Sequence, residues 1–73
     1  MKETIDFQLR GEEDFIPLMA LLKATNVVYS DAEAGEVIVQ GMVLRDGVPE
    51  HRKRAKIRSG ETISYDRFEI HVL

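Results

Sequence analysis

Basic residues are concentrated in one short stretch of this chain, residues 52–58. Five of its seven side chains are cationic: Arg52, Lys53, Arg54, Lys56 and Arg58. Arginine can direct two N–H groups at one phosphate and lysine carries a compact point charge, so a cluster of both suits contact with a phosphate backbone. A solvated alternative stays open, because lysines on an edge strand also discourage aggregation between sheets. We call residues 52–58 the basic segment.

The rest of the chain is mainly acidic. The formal net charge is −3 at pH 7, and residues 1–40 hold three Lys/Arg against eight Asp/Glu, a net of −5. Residues 41–73 hold seven Lys/Arg against five Asp/Glu, a net of +2. Because the local field decides which ligand a surface attracts, the basic segment can bind an anion despite the acidic total.

Side chains that could catalyse a reaction or bind a metal are few. The chain has no cysteine, which excludes disulfides, zinc–thiolate sites and thiol nucleophiles. Its two histidines, His51 and His71, stand outside any metal-ligand or catalytic-triad spacing. The adjacent carboxylates Glu12, Glu13 and Asp14 are more typical of a solvated turn than of a metal site. We therefore expect no enzymatic activity, no metal, no cofactor and no small-molecule substrate.

The length and the hydropathy pattern are those of one small soluble domain. No apolar run approaches the roughly 20 residues that cross a bilayer. The first residues alternate polar and apolar side chains, which the apolar core of a signal peptide does not do. We expect a cytoplasmic protein without a membrane partner.

Two short helices are predicted between residues 17 and 41. Pro17 suits the first helical position, and the helix that follows is predicted to end near Asn26. Ser30 and Glu33 have the spacing of a capping box, with Ser30 as N-cap of a second helix. Gly41 is predicted to end this helix in the left-handed conformation. The apolar faces of the two helices are formed by Leu18, Leu21, Leu22, Ala34, Val37 and Ile38.

Short strands are predicted on either side of the helices. Residues 4–9 alternate polar and apolar side chains, as a half-buried strand does. Asp46-Gly47 is a strong two-residue hairpin signal between apolar stretches, and Asp66-Arg67 lies between two further alternating stretches. Within the basic segment, Ala55 and Ile57 alternate with the cations and are expected to face inward. The predicted fold is α+β, with two short helices packed on a small antiparallel sheet.

The order of these elements resembles the αL motif of S4-like RNA-binding domains. The resemblance covers about residues 17–72 of a single domain, 1–73, to which the strand at 4–9 is added. It is most similar to a bacterial subfamily of very small proteins that contain little besides this domain. The residues that carry the resemblance are Leu21-Leu22-Lys23, Ser30, Ala34, Ile38, Gly41, Val43, Asp46-Gly47, the stretch from Glu50 to Ile57, and Gly60.

This resemblance implies a non-enzymatic protein that binds structured RNA, such as ribosomal or transfer RNA, alone or in a ribonucleoprotein. In the wider family, the binding surface is formed by the two helices and the adjoining hairpin. The positions that match this surface are Lys23, Ser30, Arg52, Lys53, Arg54, Lys56 and Arg58.

The start of the second helix departs from the family pattern. Many members carry basic residues there, whereas this chain has Asp31, Glu33 and Glu36. Carboxylates suit the positive end of a helix, but they repel a phosphate backbone. The resemblance therefore implies either an RNA path shifted toward the basic segment or a low affinity.

Several side chains allow two interpretations. Tyr29 would either stack on an RNA base or close the inter-helix turn as a partly buried ring, and the second is favoured. Lys23 would either pair with Glu33 or remain in solvent, and Arg45 is expected to be solvated.

A small protein-binding adaptor is the alternative function. It would dock a partner through exposed apolar side chains, although the same side chains could complete the core: Ile16, Met19, Val27 and Val28. A DNA-binding helix-turn-helix is a weaker hypothesis, because the second helix has acidic side chains where a recognition helix faces phosphate.

Overall fold

The computed structural model describes residues 2–73. Its elements are β1 (Glu3–Phe7), β2 (Ile16–Pro17), α1 (Leu18–Ala24), α2 (Asp31–Val39), β3 (Val43–Arg45), β4 (Val48–Pro49), β5 (Lys56–Ile57), β6 (Thr62–Tyr65) and β7 (Phe68–Val72). Five strands form one sheet in the order β1-β7-β6-β3-β4, and β2 and β5 form a separate two-stranded ribbon. The α+β prediction is confirmed.

The main sheet is mixed, which corrects the purely antiparallel sheet that was predicted. β1 runs parallel to β7, with Ile5 opposite Ile70, while the other neighbouring pairs are antiparallel. The Leu73 N–H continues the parallel ladder by donating to the Phe7 carbonyl at 2.8 Å. Alternation in the sequence fixes which face of a strand is buried but not its direction, so the pattern of residues 4–9 could not reveal this pairing.

The core lies between the two helices and one face of the sheet. The leucine face of α1 and the apolar face of α2 pack there with side chains from β3, β6 and β7. The burial of each large aliphatic side chain contributes about 1.5–3 kcal/mol. Ala55 and Ile57 also belong to this core, as predicted for the inward positions of the basic segment. The fully buried large side chains are Leu18, Leu21, Leu22, Val28, Ile38, Val43, Ile57, Ile63, Ile70 and Val72.

The ends of α2 agree with the predicted capping residues. The Ser30 hydroxyl accepts the Glu33 N–H at 3.0 Å, while the Glu33 carboxylate accepts the Tyr29 N–H at 2.8 Å, one residue before the predicted partner. Gly41 has φ +76° and donates to the Ile38 carbonyl at 3.0 Å. Together with the Met42 N–H on the Val37 carbonyl, this forms a Schellman motif.

Helix α1 begins one residue later and ends earlier than the sequence predicted. Pro17 belongs to β2 and serves as the N-cap, so the first helical residue is Leu18 rather than Pro17. The helix ends at Ala24, and Asn26 has a left-handed φ of +60°. Among residues 2–73, no side chain caps the N-terminus of α1, and two of its first-turn N–H groups donate to carbonyls in another part of the chain.

Both predicted hairpins are present. Asp46 and Gly47 have φ values of +49° and +86°, the two positive values of a type I′ turn that matches the twist of the strands. Asp66 and Arg67 separate β6 from β7. Strand β1 is shifted toward the N-terminus relative to the predicted range 4–9. In residues 2–73, no helix is long and apolar enough to span a membrane.

The Ser30 cap yields a first prediction. Ser30→Ala removes the acceptor of the Glu33 N–H and is expected to lower the free energy of unfolding by about 0.5–2 kcal/mol. Urea denaturation should show a lower midpoint with an unchanged slope, because the surface exposed on unfolding stays the same. Ser30→Thr retains an acceptor and should stay close to the parent. An alanine variant as stable as the parent would contradict the capping role.

Candidate nucleic-acid interface

The main chain of the basic segment provides the N-terminal cap of α1. The Leu18 N–H donates to the Ala55 carbonyl at 2.9 Å, and the Met19 N–H donates to the Lys53 carbonyl at 3.1 Å. These N–H groups belong to the first turn of a helix, where no intrahelical acceptor exists. The helix start and the basic segment therefore fix each other's position.

Two glutamates fix the ends of the basic segment. The Glu50 carboxylate accepts the Arg52 backbone N–H at 3.2 Å, and the Glu61 carboxylate accepts the Arg58 backbone N–H at 2.6 Å. Both contacts place an ionised acceptor on a main-chain donor, which makes them stronger than neutral hydrogen bonds. The two ends of the basic segment are thus held at fixed positions.

Arg45 joins these two glutamates. Its guanidinium donates to both Glu61 oxygens, at 2.7 and 3.1 Å, and to Glu50 at 3.2 Å. A further N–H donates to the Lys56 carbonyl at 2.8 Å, in the middle of the segment. Only 24% of the Arg45 side chain is exposed, so the predicted solvated role is wrong. The sequence did contain one indication of this network, because the two glutamates lie on either side of the five cations and need a cationic partner.

The ion pairs keep these carboxylates charged. The hydrogen bond from Arg52 lowers the pKa of Glu50 to about 2, and the bond from Arg45 lowers the pKa of Glu61. Conversely, the hydrogen bond to Glu61 raises the pKa of Arg45. The network therefore remains fully ionised at neutral pH.

The cations of the basic segment surround a cleft of about 400 Å³. Its walls are formed by Arg45, Arg52, Arg54, Ala55, Lys56 and Arg58. The structure thus brings together four of the seven predicted site residues and adds Arg45, which the sequence analysis missed. A concave surface lined by one sign of charge focuses the field on its opening and attracts anions there.

The cations around the cleft differ in how they are engaged. Arg52 pairs with Glu50 at 3.0 Å. Within residues 2–73, the side chains of Arg54, Lys56 and Arg58 make no ion pair with a carboxylate. Their charges are therefore available to a ligand, whereas part of the Arg52 charge is already neutralised.

Lys53 lies beside the cleft, on the surface of α2. A Cβ atom added to Gly35 would come within 3.3 Å of Lys53 Cε. The glycine therefore lets the lysine stem lie flat on the helix, which explains a residue that is unfavourable inside helices. Just after the C-terminal end of α2, a Cβ added to Gly41 would come within 2.9 Å of His51 Nε2. The chain before and at the start of the basic segment is thus packed closely on α2.

The two remaining predicted site residues lie at the junction of α1 and α2. Lys23 Nζ pairs with Asp31 at 3.4 Å rather than with Glu33, and the Ser30 hydroxyl is occupied by the helix cap. Neither residue lines the cleft. Tyr29, next to them, is 92% exposed, so the partly buried ring favoured from the sequence is wrong. Its neighbours Val27 and Val28 fill the inter-helix core in its place.

Phe15 is a second residue that the sequence analysis missed. Lys56 Nζ lies 5.0 Å from the centre of its ring, and Arg58 Cζ lies 5.9 Å away. Both distances fall within the range of cation–π attraction. An aromatic ring therefore stands at the edge of the basic cleft.

Comparison with known proteins identifies the family. A sequence model described as the S4 domain matches residues 7–73. This chain belongs to the S4 domain family. The match includes α1, α2 and the whole basic segment, so the residues that form the cleft all lie within the S4 domain.

Two named relatives of this S4 domain are proteins called YbcJ. Over 63 residues, 86% of this chain and 90% of the relative, the chain is 36% identical to "Putative RNA-binding protein YbcJ" of Escherichia coli. A protein of Shigella flexneri named YbcJ matches with the same identity and coverage. The solution structure of E. coli YbcJ, described as revealing an αL motif involved in RNA binding, superposes with a TM-score of 0.74, covering 100% of this chain and 91% of that one.

The S4 domain fold uses the apolar residues on which the adaptor hypothesis depended. Val27 and Val28 are buried, and Ile16 and Met19 pack against the core. Val27 and Val28 are therefore unavailable to a protein partner, and Ile16 and Met19 present only part of their surface.

The acidic start of α2 is also engaged in local contacts. Asp31 pairs with Lys23, Glu33 holds the Tyr29 N–H, and Glu36 accepts a hydrogen bond from Gln40 at 3.2 Å. These carboxylates stabilise α2 and the turn that precedes it. None of them lines the cleft.

The glutamate contacts generate a prediction about pH. The folded pKa of Glu50 lies well below its ordinary value of 4.5, so its ionised form stabilises the fold above that value. This stabilisation is lost as the pH falls from about 4.5 toward about 2. Glu50→Gln should be less stable than the parent at pH 7, and the two should converge near pH 2. Urea midpoints measured over this range test the prediction, and parallel pH curves for the two proteins would contradict it.

Proposed function

We propose that this S4 domain binds RNA and that the basic cleft is the binding site. The observation that carries the proposal is the convergence of Arg54, Lys56 and Arg58 around one concave surface; in the part of the chain that the structure describes, none of the three pairs with a carboxylate. Phosphate oxygens are the partners that such forks and point charges fit best. The name and description of YbcJ, a relative with the same fold, support the same ligand.

The cleft binds RNA mainly through its phosphates. Each phosphate that meets an arginine or lysine releases condensed counterions, which makes association favourable at low salt and weaker as salt rises. Contacts of this kind fix the position of the RNA without distinguishing its bases. A target that presents closely spaced phosphates is therefore favoured, and we propose structured RNA, ribosomal or transfer RNA, met alone or in a ribonucleoprotein.

The hydrogen bonds behind the cleft reduce the entropy that binding must overcome. Arg45, Glu50 and Glu61 hold the main chain of the basic segment at its ends and at Lys56. A surface that is already ordered loses less freedom when its ligand arrives. The ordered main chain allows the side chains alone to adjust to the phosphates.

Binding, rather than catalysis, is the role that we propose. Glu50 and Glu61 are hydrogen-bonded to Arg45 in the wall of the cleft, and arginine contacts lower the pKa of both. A carboxylate stabilised in its ionised form is a weak proton acceptor at neutral pH, and effective acid–base catalysts have pKa values near the working pH.

The RNA path follows the basic segment and avoids the start of α2. Asp31 and Glu33 would repel a phosphate on that helix end, whereas Arg54 and Lys56 line the basic cleft. Within the basic segment, Lys53 rests on Gly35 of α2, and we take it as one limit of the path. Lys23 and Ser30 lie beyond that limit, so we expect them to contribute less than the cleft residues.

A salt series tests the role of the cleft. With about three to five phosphates neutralised, log affinity of the parent should fall against log salt with a slope of roughly −2 to −4.5. Replacing Arg54, Lys56 and Arg58 together by Gln should flatten this slope and weaken binding to unrelated RNAs alike. Fluorescence anisotropy with a labelled transfer RNA and a labelled ribosomal RNA hairpin measures both effects.

A matched control removes the same number of charges elsewhere. Lys2, Arg10 and Arg67 lie outside the cleft, so their joint replacement by Gln leaves the slope close to that of the parent. Equal slopes and affinities for the two triple variants would remove the cleft from the mechanism.

A further inference from the structure

The ring of Phe15 occupies the outer face of the β2–β5 ribbon. Ile16 pairs with Ile57, and both point toward the core, where Ile57 is fully buried. Because side chains alternate along a strand, the neighbours of these two residues point outward. Phe15, Lys56 and Arg58 consequently share the outer face, which is consistent with the short distances from both cations to the ring.

Packing of the core does not account for this ring. The other two phenylalanines, Phe7 and Phe68, pack against the buried cluster, whereas Phe15 does not belong to the residues in contact with it. Phe15 is nevertheless only half-buried, so part of the ring faces solvent beside the cleft. An aromatic ring retained on a charged surface, outside the core, is the arrangement that proteins use to stack on unpaired bases.

We propose that Phe15 stacks on an unpaired base of the RNA whose phosphates occupy the basic cleft. This inference rests on the proposed function and adds to it the class of RNA element: a loop, bulge or single-stranded end rather than a continuous duplex. Bases within a duplex are stacked on one another and cannot reach a protein ring.

Lys56 and Arg58 connect the two halves of the site. In the absence of RNA, both cations are held near the ring by its negative face. When a nucleotide binds, its base displaces the two cations from the ring. Its phosphate then binds the Lys56 ammonium and the Arg58 guanidinium. The exchange leaves no cation without a partner, and it places the base next to the cleft that binds its own backbone.

The test compares two RNAs and two substitutions. Phe15→Leu keeps an apolar side chain but removes the aromatic face, while Phe15→Trp enlarges that face. The RNAs are an oligouridylate, which remains unpaired, and a blunt duplex. We expect Phe15→Leu to weaken binding of the oligouridylate by about 5- to 150-fold, the loss equivalent to one stacked base. Duplex binding should change much less, and Phe15→Trp should retain or strengthen binding of the oligouridylate.

Fluorescence supplies a direct readout of stacking. The chain has no tryptophan, so the indole introduced by Phe15→Trp is its only one. Its emission should be quenched when the oligouridylate binds and should change little with the duplex. Thermal unfolding of Phe15→Leu should match the parent, because the ring does not pack against the core.

The outcomes separate this inference from the proposed function. Equal losses of affinity for both RNAs would mean that the ring only orders the two cations, and unchanged affinity for both would mean that it takes no part; either result overturns the stacking role while the cleft remains the binding site. Absence of RNA binding by the parent protein would overturn both proposals together.

Discussion

The basic surface depends on the hydrogen bonds that the Arg45 guanidinium donates. It reaches the end of one hairpin through Glu50, the start of the next through Glu61, and the chain between them through the Lys56 carbonyl. An arginine offers five N–H donors in a fixed plane, and here four contacts use that plane to hold three stretches of chain. Two carboxylates around one partly buried cation also satisfy it well, which limits the desolvation cost of removing it from water.

The acidic total charge of the protein follows from this construction. Glu50 and Glu61 are needed to hold the ends of a cationic segment, and Asp31 and Glu33 are needed to start α2. These carboxylates act through short-range hydrogen bonds and ion pairs within the fold, while Arg54, Lys56 and Arg58 face outward. Net charge is therefore a poor guide to what this molecule attracts, because much of its negative charge is used within the fold.

Local chemistry explains which parts of the structure could be predicted from the sequence. Ser30, Gly41 and Asp46-Gly47 each act on backbone groups a few residues away, so their types alone indicate a helix start, a helix end and a turn. The parallel β1–β7 pair and the two-residue β2–β5 ribbon join residues that are distant in sequence, and no local pattern specifies them. Arg45 and Phe15 were missed for a related reason, since Glu61 and Lys56 become neighbours of Arg45, and Lys56 and Arg58 neighbours of Phe15, only in the folded chain.

The basic segment is positioned by its main chain and by its two buried side chains, Ala55 and Ile57. The carbonyls of Lys53, Ala55 and Lys56 accept hydrogen bonds, and the N–H groups of Arg52 and Arg58 donate them. Main-chain groups are the same whatever side chain a residue carries, so the outward positions 54, 56 and 58 can exchange residue types while the path of the chain persists. A few substitutions can therefore change the ligand preference of such a segment while every intermediate variant still folds. This property makes the small scaffold a favourable starting point for diversification and for engineered recognition.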